Sequence, residues 1–370
     1  MEIETVAIHV PRSRRDGAIA PPINLSTTFE HGPANEALYA HEYIRDGNPN
    51  VDDLQTRLAS MENAAGCVAF ASGMAAATAL VQTLKPGARI LFHNNIYFDV
   101  IALAGKLMPN WGIEFERRDL TDPTALAAGL AKKPALVWLE SPSNPQLDII
   151  DIKAAADAAH SVGAKVVVDS TFAPPVIQRP LDFGVDFVLH SLTKYMGGHS
   201  DIQGGAIAFA CDDGRFAELA HIRRITGGVL SPFNAWMVSR GVQTLACRVE
   251  RHCANALAVA RALAARPEIA RVRYPFLESD PGYEIARRQM TAGGGMVSVE
   301  VKGGRSAALK VASKVKLFTN ATSLGGVESL IEHRASVEGK ATSTPDSLLR
   351  LSIGLEAPQD LIADLVAALD

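Results

Sequence analysis

The sequence DFVLHSLTKYMGGHSD at residues 186–201 decides the fold. Its first five residues form an apolar run that is typical of a buried strand. Lys194 follows shortly after this run, among hydroxyl and glycine residues. Because ligands of open α/β sheets bind at the carboxyl ends of the strands, a lysine at this point is poorly explained as a solvated surface charge. The stretch therefore predicts a strand that delivers a functional lysine to the edge of a sheet.

Other short apolar runs alternate with helical patterns on both sides of this stretch, for example around the helical pattern at residues 151–162. The runs are VAFA at 68–71, RILFH at 89–93, ALVWLE at 135–140, KVVVD at 165–169 and GAIAFA at 205–210. Continuous β-branched runs between helices indicate buried strands of a mostly parallel sheet that helices cover on both faces. We therefore predict a large α/β domain over residues 61–235.

The pattern changes after about residue 230. A long helical pattern at residues 232–265 is followed by shorter strand patterns and a closing helix. The strand patterns lie at 295–301, 315–319 and 348–353, and the closing helix at 358–369. This order predicts a smaller α+β domain over residues 236–370. Residues 1–60 carry few regular signals and are predicted to form an N-terminal arm.

Composition narrows the classes of partner. The chain has 370 residues and a net charge of -4, and no polybasic face that would favour nucleic acid or an anionic membrane. The N-terminus lacks an apolar signal core and no run is long enough to span a membrane, so we expect a cytoplasmic protein. Four cysteines without C-x-x-C or zinc spacing predict reduced thiols and no metal site.

Two strand ends carry residues that suit pyridoxal 5'-phosphate (PLP). Asp169 ends the run at 165–169 without an obvious basic neighbour, so it either caps the next turn or pairs with the protonated pyridine nitrogen of PLP. Ser191 and Thr193 offer two hydroxyls to a phosphate, and Lys194, directly after Thr193, can hold the cofactor as a Schiff base. These residues predict a PLP site.

Two further strand ends give weaker signals. Ser72, Gly73 and Met74 open a helix, where free N–H groups favour an anion, although such a turn often serves packing alone. Tyr97 follows the run at 89–93 and is either a half-buried core tyrosine or a ring that stacks on a flat cofactor. Both would belong to the same site.

The same residues fall within a longer set of ordered motifs. These are YIRDGNP at 43–49, FASGMAA at 70–76, ESPSNP at 140–145, VDSTF at 168–172, HSLTKY at 190–195, SLGGVESL at 323–330 and RLSIGLE at 350–356. From about residue 20 to the C-terminus the sequence resembles the Cys/Met metabolism PLP-dependent enzymes, the transsulfuration family. The resemblance implies the PLP-dependent transferase fold-type I, with a mostly parallel seven-stranded sheet in the large domain and a smaller α+β C-terminal domain.

The resemblance also implies roles for individual residues. Cofactor-binding residues would be Tyr43, Arg45, Ser72, Gly73, Met74, Tyr97, Asp169, Thr171, Ser191, Thr193 and Lys194. Tyr43 and Arg45 would reach the phosphate of a neighbouring subunit, within a homotetramer built as a dimer of dimers. Lys194 would remove the α-proton after the substrate amine displaces it, and Tyr97 would assist the leaving group.

The substrate side is implied in the same way. Asn144, Ser323 and Arg350 would bind the substrate, with Arg350 holding the α-carboxylate of a small amino acid. The implied activity is a carbon–sulfur lyase that performs β- or γ-elimination on cystathionine or a related sulfur amino acid. The alternative is γ-replacement on an O-acyl-homoserine, as in a cystathionine γ-synthase. Aminotransfer and a non-catalytic binding protein of the same fold are less favoured alternatives.

Three stretches depart from the family pattern. Thr322 stands where many γ-active relatives carry a glutamate, which weakens a strict γ-synthase or γ-lyase assignment. Phe98 and Asp99 replace a Gly-Gly pair after the tyrosine. Residues 332–339, EHRASVEG, replace a segment with a proline and a Thr-His-Ala stretch. We expect a standard cofactor site beside an unusual substrate pocket, in which residues 332–334 either shape the pocket or are merely solvated.

Overall fold

The computed structural model describes residues 1–9, 17–339 and 342–370. The helices are α1 Ile3–Ile8, α2 Pro49–Glu62, α3 Gly73–Gln82, α4 Phe98–Lys106, α5 Pro123–Leu130, α6 Ile152–Ser161, α7 Arg215–Thr226, α8 Pro232–Val242, α9 Leu245–Ala264, α10 Tyr283–Gln289, α11 Gly304–Lys314, α12 Arg334–Glu338 and α13 Pro358–Leu369. The strands are β1 Gly66–Phe70, β2 Arg89–His93, β3 Glu114–Arg118, β4 Leu136–Glu140, β5 Lys165–Asp169, β6 Phe187–Ser191, β7 Gly205–Phe209, β8 Ile269–Arg273, β9 Met296–Val301, β10 Thr319–Asn320, β11 Leu330–His333 and β12 Leu348–Ser352.

The large sheet has seven strands in the order β1-β7-β6-β5-β4-β2-β3. Only β7 opposes the common direction, since it is antiparallel to both β1 and β6. One face packs against α3, α4 and α7, and the other packs against α5 and α6. The predicted mostly parallel, seven-stranded sheet covered on both faces is confirmed, because its strands are buried on both sides.

One strand of this sheet carries no apolar run. Strand β3 has the sequence EFERR and lies at the edge, beside β2, with its first residues exposed. Charged residues are common on edge strands because they discourage pairing with another chain. The search for apolar runs therefore missed β3, although it located the other six strands of the sheet to within two residues.

The second sheet has five strands in the order β10-β11-β12-β9-β8 and packs against α9, α11 and α13. The predicted strand at 315–319 is wrong. Only Thr319 of that segment is in a strand, and the N–H groups of Lys316 and Leu317 donate to the Asp364 carboxylate at 2.8 and 2.9 Å. A side chain from α13 thus satisfies backbone groups that the predicted strand would have used.

The predicted helix at 232–265 is in fact two helices, α8 and α9, separated at residues 243–244. A Cβ at Gly241 would lie 2.5 Å from the carbonyl oxygen of Gly197, so α8 packs directly on the turn after the candidate lysine. Arg248 then donates to the Gly241 carbonyl at 2.7 Å and so supplies a hydrogen bond to a carbonyl group at the end of α8.

The domain limits of 1–60, 61–235 and 236–370 stay predictions, and residue 235 falls inside α8. In the described ranges, no helix has both the length and the apolar character needed to cross a membrane.

Candidate active site

A cavity of about 290 Å³ lies at the carboxyl ends of the strands of the large sheet. Nearly all predicted site residues line it. They are Ser72, Gly73, Met74, Tyr97, Asn144, Asp169, Thr171, Ser191, Thr193, Lys194, Ser323 and Arg350. The C-terminal residues Ser323 and Arg350 reach the same space, so both sheets contribute to one site.

Lys194 projects into this cavity from the segment after β6. Its Nζ lies 2.8 Å from the Oγ of Ser323. Burial lowers the pKa of Lys194 to about 8, and the nearby charge of Arg350 adds to the effect. An amine with this pKa is readily available in its neutral, nucleophilic form near neutral pH, which is what a Schiff-base lysine and a proton acceptor both require.

The turn that carries Ser323 packs tightly against the lysine segment. A Cβ at Gly325, which has φ +75°, would lie 2.8 Å from the backbone nitrogen of Tyr195. Ser323 itself has φ +87°, in the left-handed region that non-glycine residues rarely adopt. Strain of this kind persists where surrounding structure requires it and often marks a functional site.

Asp169 ends β5 inside the cavity and is buried. Its Oδ1 accepts the N–H of Thr171 at 3.0 Å, and no basic side chain in the described ranges forms an ion pair with it. Burial raises the pKa of this carboxyl group. A protonated pyridine nitrogen would supply the missing cation, so the donor set at this end of the cavity fits PLP.

The opposite end of the cavity suits a phosphate. Helix α3 begins at Gly73, and its first residues line the cavity together with the hydroxyl-bearing residues Ser191 and Thr193, so the free N–H groups of a helix N-terminus lie at this end. A Cβ at Gly73 would lie 3.1 Å from that of Ser191, which shows how closely the two segments approach. Thr171 links the two ends, because its Oγ1 accepts the N–H of Ser191 at 2.9 Å.

Arg350 lies in β12 directly opposite Glu332 in β11. Its guanidinium donates to the Oδ1 of Asn144 at 3.0 Å, to the carbonyl of Ser323 at 3.2 Å and to Glu332 at 2.7 Å. Burial lowers the pKa of Arg350 to about 10, and the charge of Arg334 contributes. The group stays cationic at neutral pH and suits a carboxylate ligand.

Tyr97 is held from both sides. Its backbone N–H donates to the buried carboxyl group of Glu140 at 2.8 Å, and its hydroxyl donates to the Asp99 carboxylate at 2.8 Å. Burial, together with Asp99, raises the pKa of Tyr97 above its ordinary value. The phenol is therefore protonated at neutral pH and can donate a hydrogen bond.

Several lining residues were not among the predicted site residues. They are Ala77, Asp99, Val100, Glu140, Phe172, Leu189, Gln203, Thr322, Leu324 and Arg334. Glu140 ends β4, so the strand-end criterion that selected Asp169 could have selected it as well. Asp99, Thr322 and Arg334 belong to the three stretches that depart from the family pattern.

Tyr43 and Arg45 do not line the cavity of their own chain. The Arg45 guanidinium stacks over the Tyr43 ring, 4.4 Å from its centroid, and Tyr43 is 39% exposed. No group of histidine, cysteine and acidic residues in the described ranges could hold a metal ion.

A lysine, an unpaired buried aspartate and a helix N-terminus at the edge of this sheet define a PLP-dependent enzyme. The chain belongs to the family of Cys/Met metabolism PLP-dependent enzymes, which matches residues 4–370. The predicted family, fold, cofactor and enzyme class are thereby confirmed.

Individual relatives agree with this assignment. The chain is 44% identical to a cystathionine gamma-synthase of Mycobacterium tuberculosis, over 95% of this chain and 92% of the relative. It is 40% identical to a cystathionine beta-lyase of Coxiella burnetii, over 99% and 97%. The solved structure of a cystathionine gamma synthase from Xanthomonas oryzae in complex with aminoacrylate and cysteine has a TM-score of 0.95 and 40% identity, covering 100% of this chain and 98% of the other.

Proposed function

We propose that this enzyme is a carbon–sulfur lyase that performs β- or γ-elimination on cystathionine or a related sulfur amino acid. The observation that carries the proposal is the amine of Lys194, held at 2.8 Å by Ser323 in a cavity that also contains Arg350. One group can accept a proton, and the other can fix the carboxylate of the molecule that loses it.

The roles of the substrate-side residues follow from this geometry. Arg350, oriented by Asn144, binds the α-carboxylate and turns the α-carbon toward Lys194. Lys194 takes the α-proton at Nζ, and the hydroxyl of Ser323 keeps that nitrogen in place. Bound PLP supplies a cationic ring that stabilises the negative charge left on the carbon. The protonated phenol of Tyr97 assists the departing sulfur once its single O–H turns from Asp99.

The roles of the cofactor-side residues are part of the same proposal. Asp169 would pair with the ring nitrogen, and Thr171 orients that carboxylate through the hydrogen bond from its backbone N–H. The phosphate would be held by the start of α3 and the hydroxyls across from it; the residues concerned are Ser72, Gly73, Met74, Ser191 and Thr193. Tyr97 would also stack on the ring.

Thr322 weakens the alternative of a strict γ-synthase, and it weakens a strict γ-lyase equally. It lines the cavity at the position where many γ-active relatives have a glutamate, and its hydroxyl does not supply the charge of a carboxylate. Names of relatives include both synthases and lyases, so the reaction must be tested directly.

A substrate panel tests the proposal. The holoenzyme is incubated with cystathionine, cysteine, methionine, and O-succinyl- or O-acetyl-homoserine together with cysteine, and the products are identified by mass spectrometry. Pyruvate indicates β-elimination and 2-oxobutyrate indicates γ-elimination, and either from a sulfur amino acid supports the proposal. Cystathionine formed from the acyl-homoserine, without a keto acid from any sulfur amino acid, would overturn it.

We further propose a cytoplasmic homotetramer, built as a dimer of dimers, in which Tyr43 and Arg45 serve the cofactor phosphate of the neighbouring subunit. Neither residue lines the cavity of its own chain, which supports this assignment. A Lys194→Ala chain and an Arg45→Ala chain should each be weakly active or inactive. Refolded as a mixture, they should regain activity, because a hybrid dimer contains one site with neither substitution. No recovery in hybrids of verified composition contradicts the shared site.

A further inference from the structure

Two stretches that depart from the family pattern contact each other at the wall of the active site. Arg334, from the stretch at 332–339, is 1% exposed and lines the cavity. Its guanidinium carbon lies 5.6 Å from the centroid of the Phe98 ring, in the second departing stretch. Residues 332–334 are all buried and Arg334 lines the pocket, so this stretch is not merely solvated.

Arg334 is also bound to two buried carboxylates. Its Nη1 donates to Oε2 of Glu332 at 2.7 Å, and its Nε and Nη2 donate to Oε1 of Glu338 at 3.0 and 2.7 Å. The second oxygen of Glu338 accepts hydrogen bonds from Thr342 and Thr344. Glu338 is therefore fixed in place and has Arg334 as its basic partner.

Glu332 is shared between two arginines. The same Oε2 that accepts from Arg334 also accepts from Arg350, each at 2.7 Å. With Glu338, the four side chains contain two positive and two negative charges, so their sum is zero. Because all four are buried, water screens these charges poorly, and the loss of one charge changes the electrostatic energy of the other three.

Without Arg334, Glu332 would interact with Arg350 alone. Glu338 would retain a charge with no basic partner, and the group would have a net charge of −1 beside the position of a substrate carboxylate. Both effects oppose the binding of a second carboxylate to Arg350.

We propose that Arg334 is a positioning residue that shares the carboxylate of Glu332 with Arg350, offsets its charge and so keeps Arg350 available for the α-carboxylate of the substrate. The proposal deepens the function proposed above and rests on it for the identity of the ligand. It requires a carboxylate ligand on Arg350, but it does not depend on which carbon–sulfur bond is cleaved.

The test measures carboxylate binding apart from turnover. Propionate carries a carboxylate but no amine, and its dissociation constant for the holoenzyme is measured by calorimetry, with propionamide as the uncharged control. Arg334→Met should weaken propionate binding roughly tenfold or more, because it removes a nearby buried positive charge. KM for the sulfur amino acid should rise by a similar factor while kcat changes much less, since the α-proton acceptor is untouched.

A second variant separates this role from a merely structural one. In Glu332→Gln/Arg334→Met the competing acid is also removed, so propionate affinity should recover toward the wild-type value. Arg288→Met is the matched control, because Arg288 forms an exposed ion pair with Asp151 outside the cavity. It should leave propionate binding unchanged.

If Arg334→Met does not fold, Glu332→Gln alone decides the question, since it keeps the side-chain shape and removes only the negative charge. The proposal expects tighter propionate binding in this variant; unchanged or weaker binding overturns it. A double variant that binds propionate no better than Arg334→Met also overturns it. An absence of keto acid from every sulfur amino acid, with these propionate results intact, would refute the proposed lyase function and leave the role of Arg334 standing.

Discussion

Removing the hydroxyl of Ser323 should slow the removal of the α-proton. Its Oγ lies 2.8 Å from the Nζ of Lys194, and a hydrogen bond to a charged or strongly polar group contributes about 1.5–3 kcal/mol. If the full contribution is expressed when Nζ takes the proton, Ser323→Ala lowers the rate roughly 10- to 150-fold. Cofactor content should stay at the wild-type level, because the phosphate and ring-nitrogen contacts lie elsewhere in the cavity.

The unusual backbone of Ser323 provides a matched control. At φ +87° an alanine keeps the strain of the left-handed region, whereas a glycine relieves about 1 kcal/mol of it. Ser323→Gly should therefore unfold at a higher denaturant concentration than Ser323→Ala while losing as much activity. If the two variants differ in stability but lose equal activity, the loss of activity is due to the missing hydroxyl and not to the backbone conformation.

The assay is exchange of the α-hydrogen of L-alanine in D₂O, followed by ¹H NMR. Alanine has no sulfur leaving group, so the exchange rate reports proton removal alone. An exchange rate in Ser323→Ala within about twofold of wild type would show that the hydroxyl does not position Lys194. A loss of about 1.4 kcal/mol would instead slow the exchange roughly tenfold. A wild-type rate in Ser323→Gly would lead to the same conclusion.

Three further predictions concern the charged groups of the site. Burial lowers the pKa of Lys194 from 10.5 to about 8, so as pH rises the folded cofactor-free protein releases this proton at a lower pH than the unfolded chain does. Its free energy of unfolding, measured by urea titration, should therefore rise between pH 8 and 10.5 relative to a Lys194→Met variant, and equal pH profiles contradict this. Asp169→Asn should bind PLP roughly 10- to 100-fold more weakly in an absorbance titration of the cofactor-free protein, because it loses a charged partner for the ring nitrogen. An unchanged affinity would mean that Asp169 serves only as a structural cap. Arg350→Lys should raise KM for the amino acid more than it lowers kcat, because a single ammonium cannot form the paired contacts of a guanidinium. A KM within twofold of wild type would be inconsistent with binding of the α-carboxylate by Arg350.

The cofactor side of the site could be predicted closely from sequence. Asp169, Ser191 and Lys194 lie within a few residues of continuous apolar strands, and the carboxyl ends of neighbouring parallel strands meet at one edge of the sheet. Local sequence sufficed there because each residue is positioned by the strand that immediately precedes it. The polar edge strand β3 escaped the same criterion because edge position, not burial, determines its composition.

The opposite wall of the pocket could not be read in this way. Glu332 and Arg334 are charged residues in a segment that could equally well have been solvated, and no local pattern distinguishes the two cases. Their burial depends on β11 pairing with β12, which places Glu332 opposite Arg350, and on α12 packing near Phe98. Such contacts join residues far apart in the chain, so only the complete packing of the two sheets determines them.

The sequence by itself determined the α/β class, the positions of most strands along the chain and the candidate PLP lysine, since these depend on residues that are close together in the chain. Only the tertiary structure decided how Lys194, Ser323 and Arg350 meet in one cavity, and how one buried glutamate is divided between two arginines. The physical reason is that a buried charge is stabilised by partners brought together by folding, and spacing along the chain does not specify them.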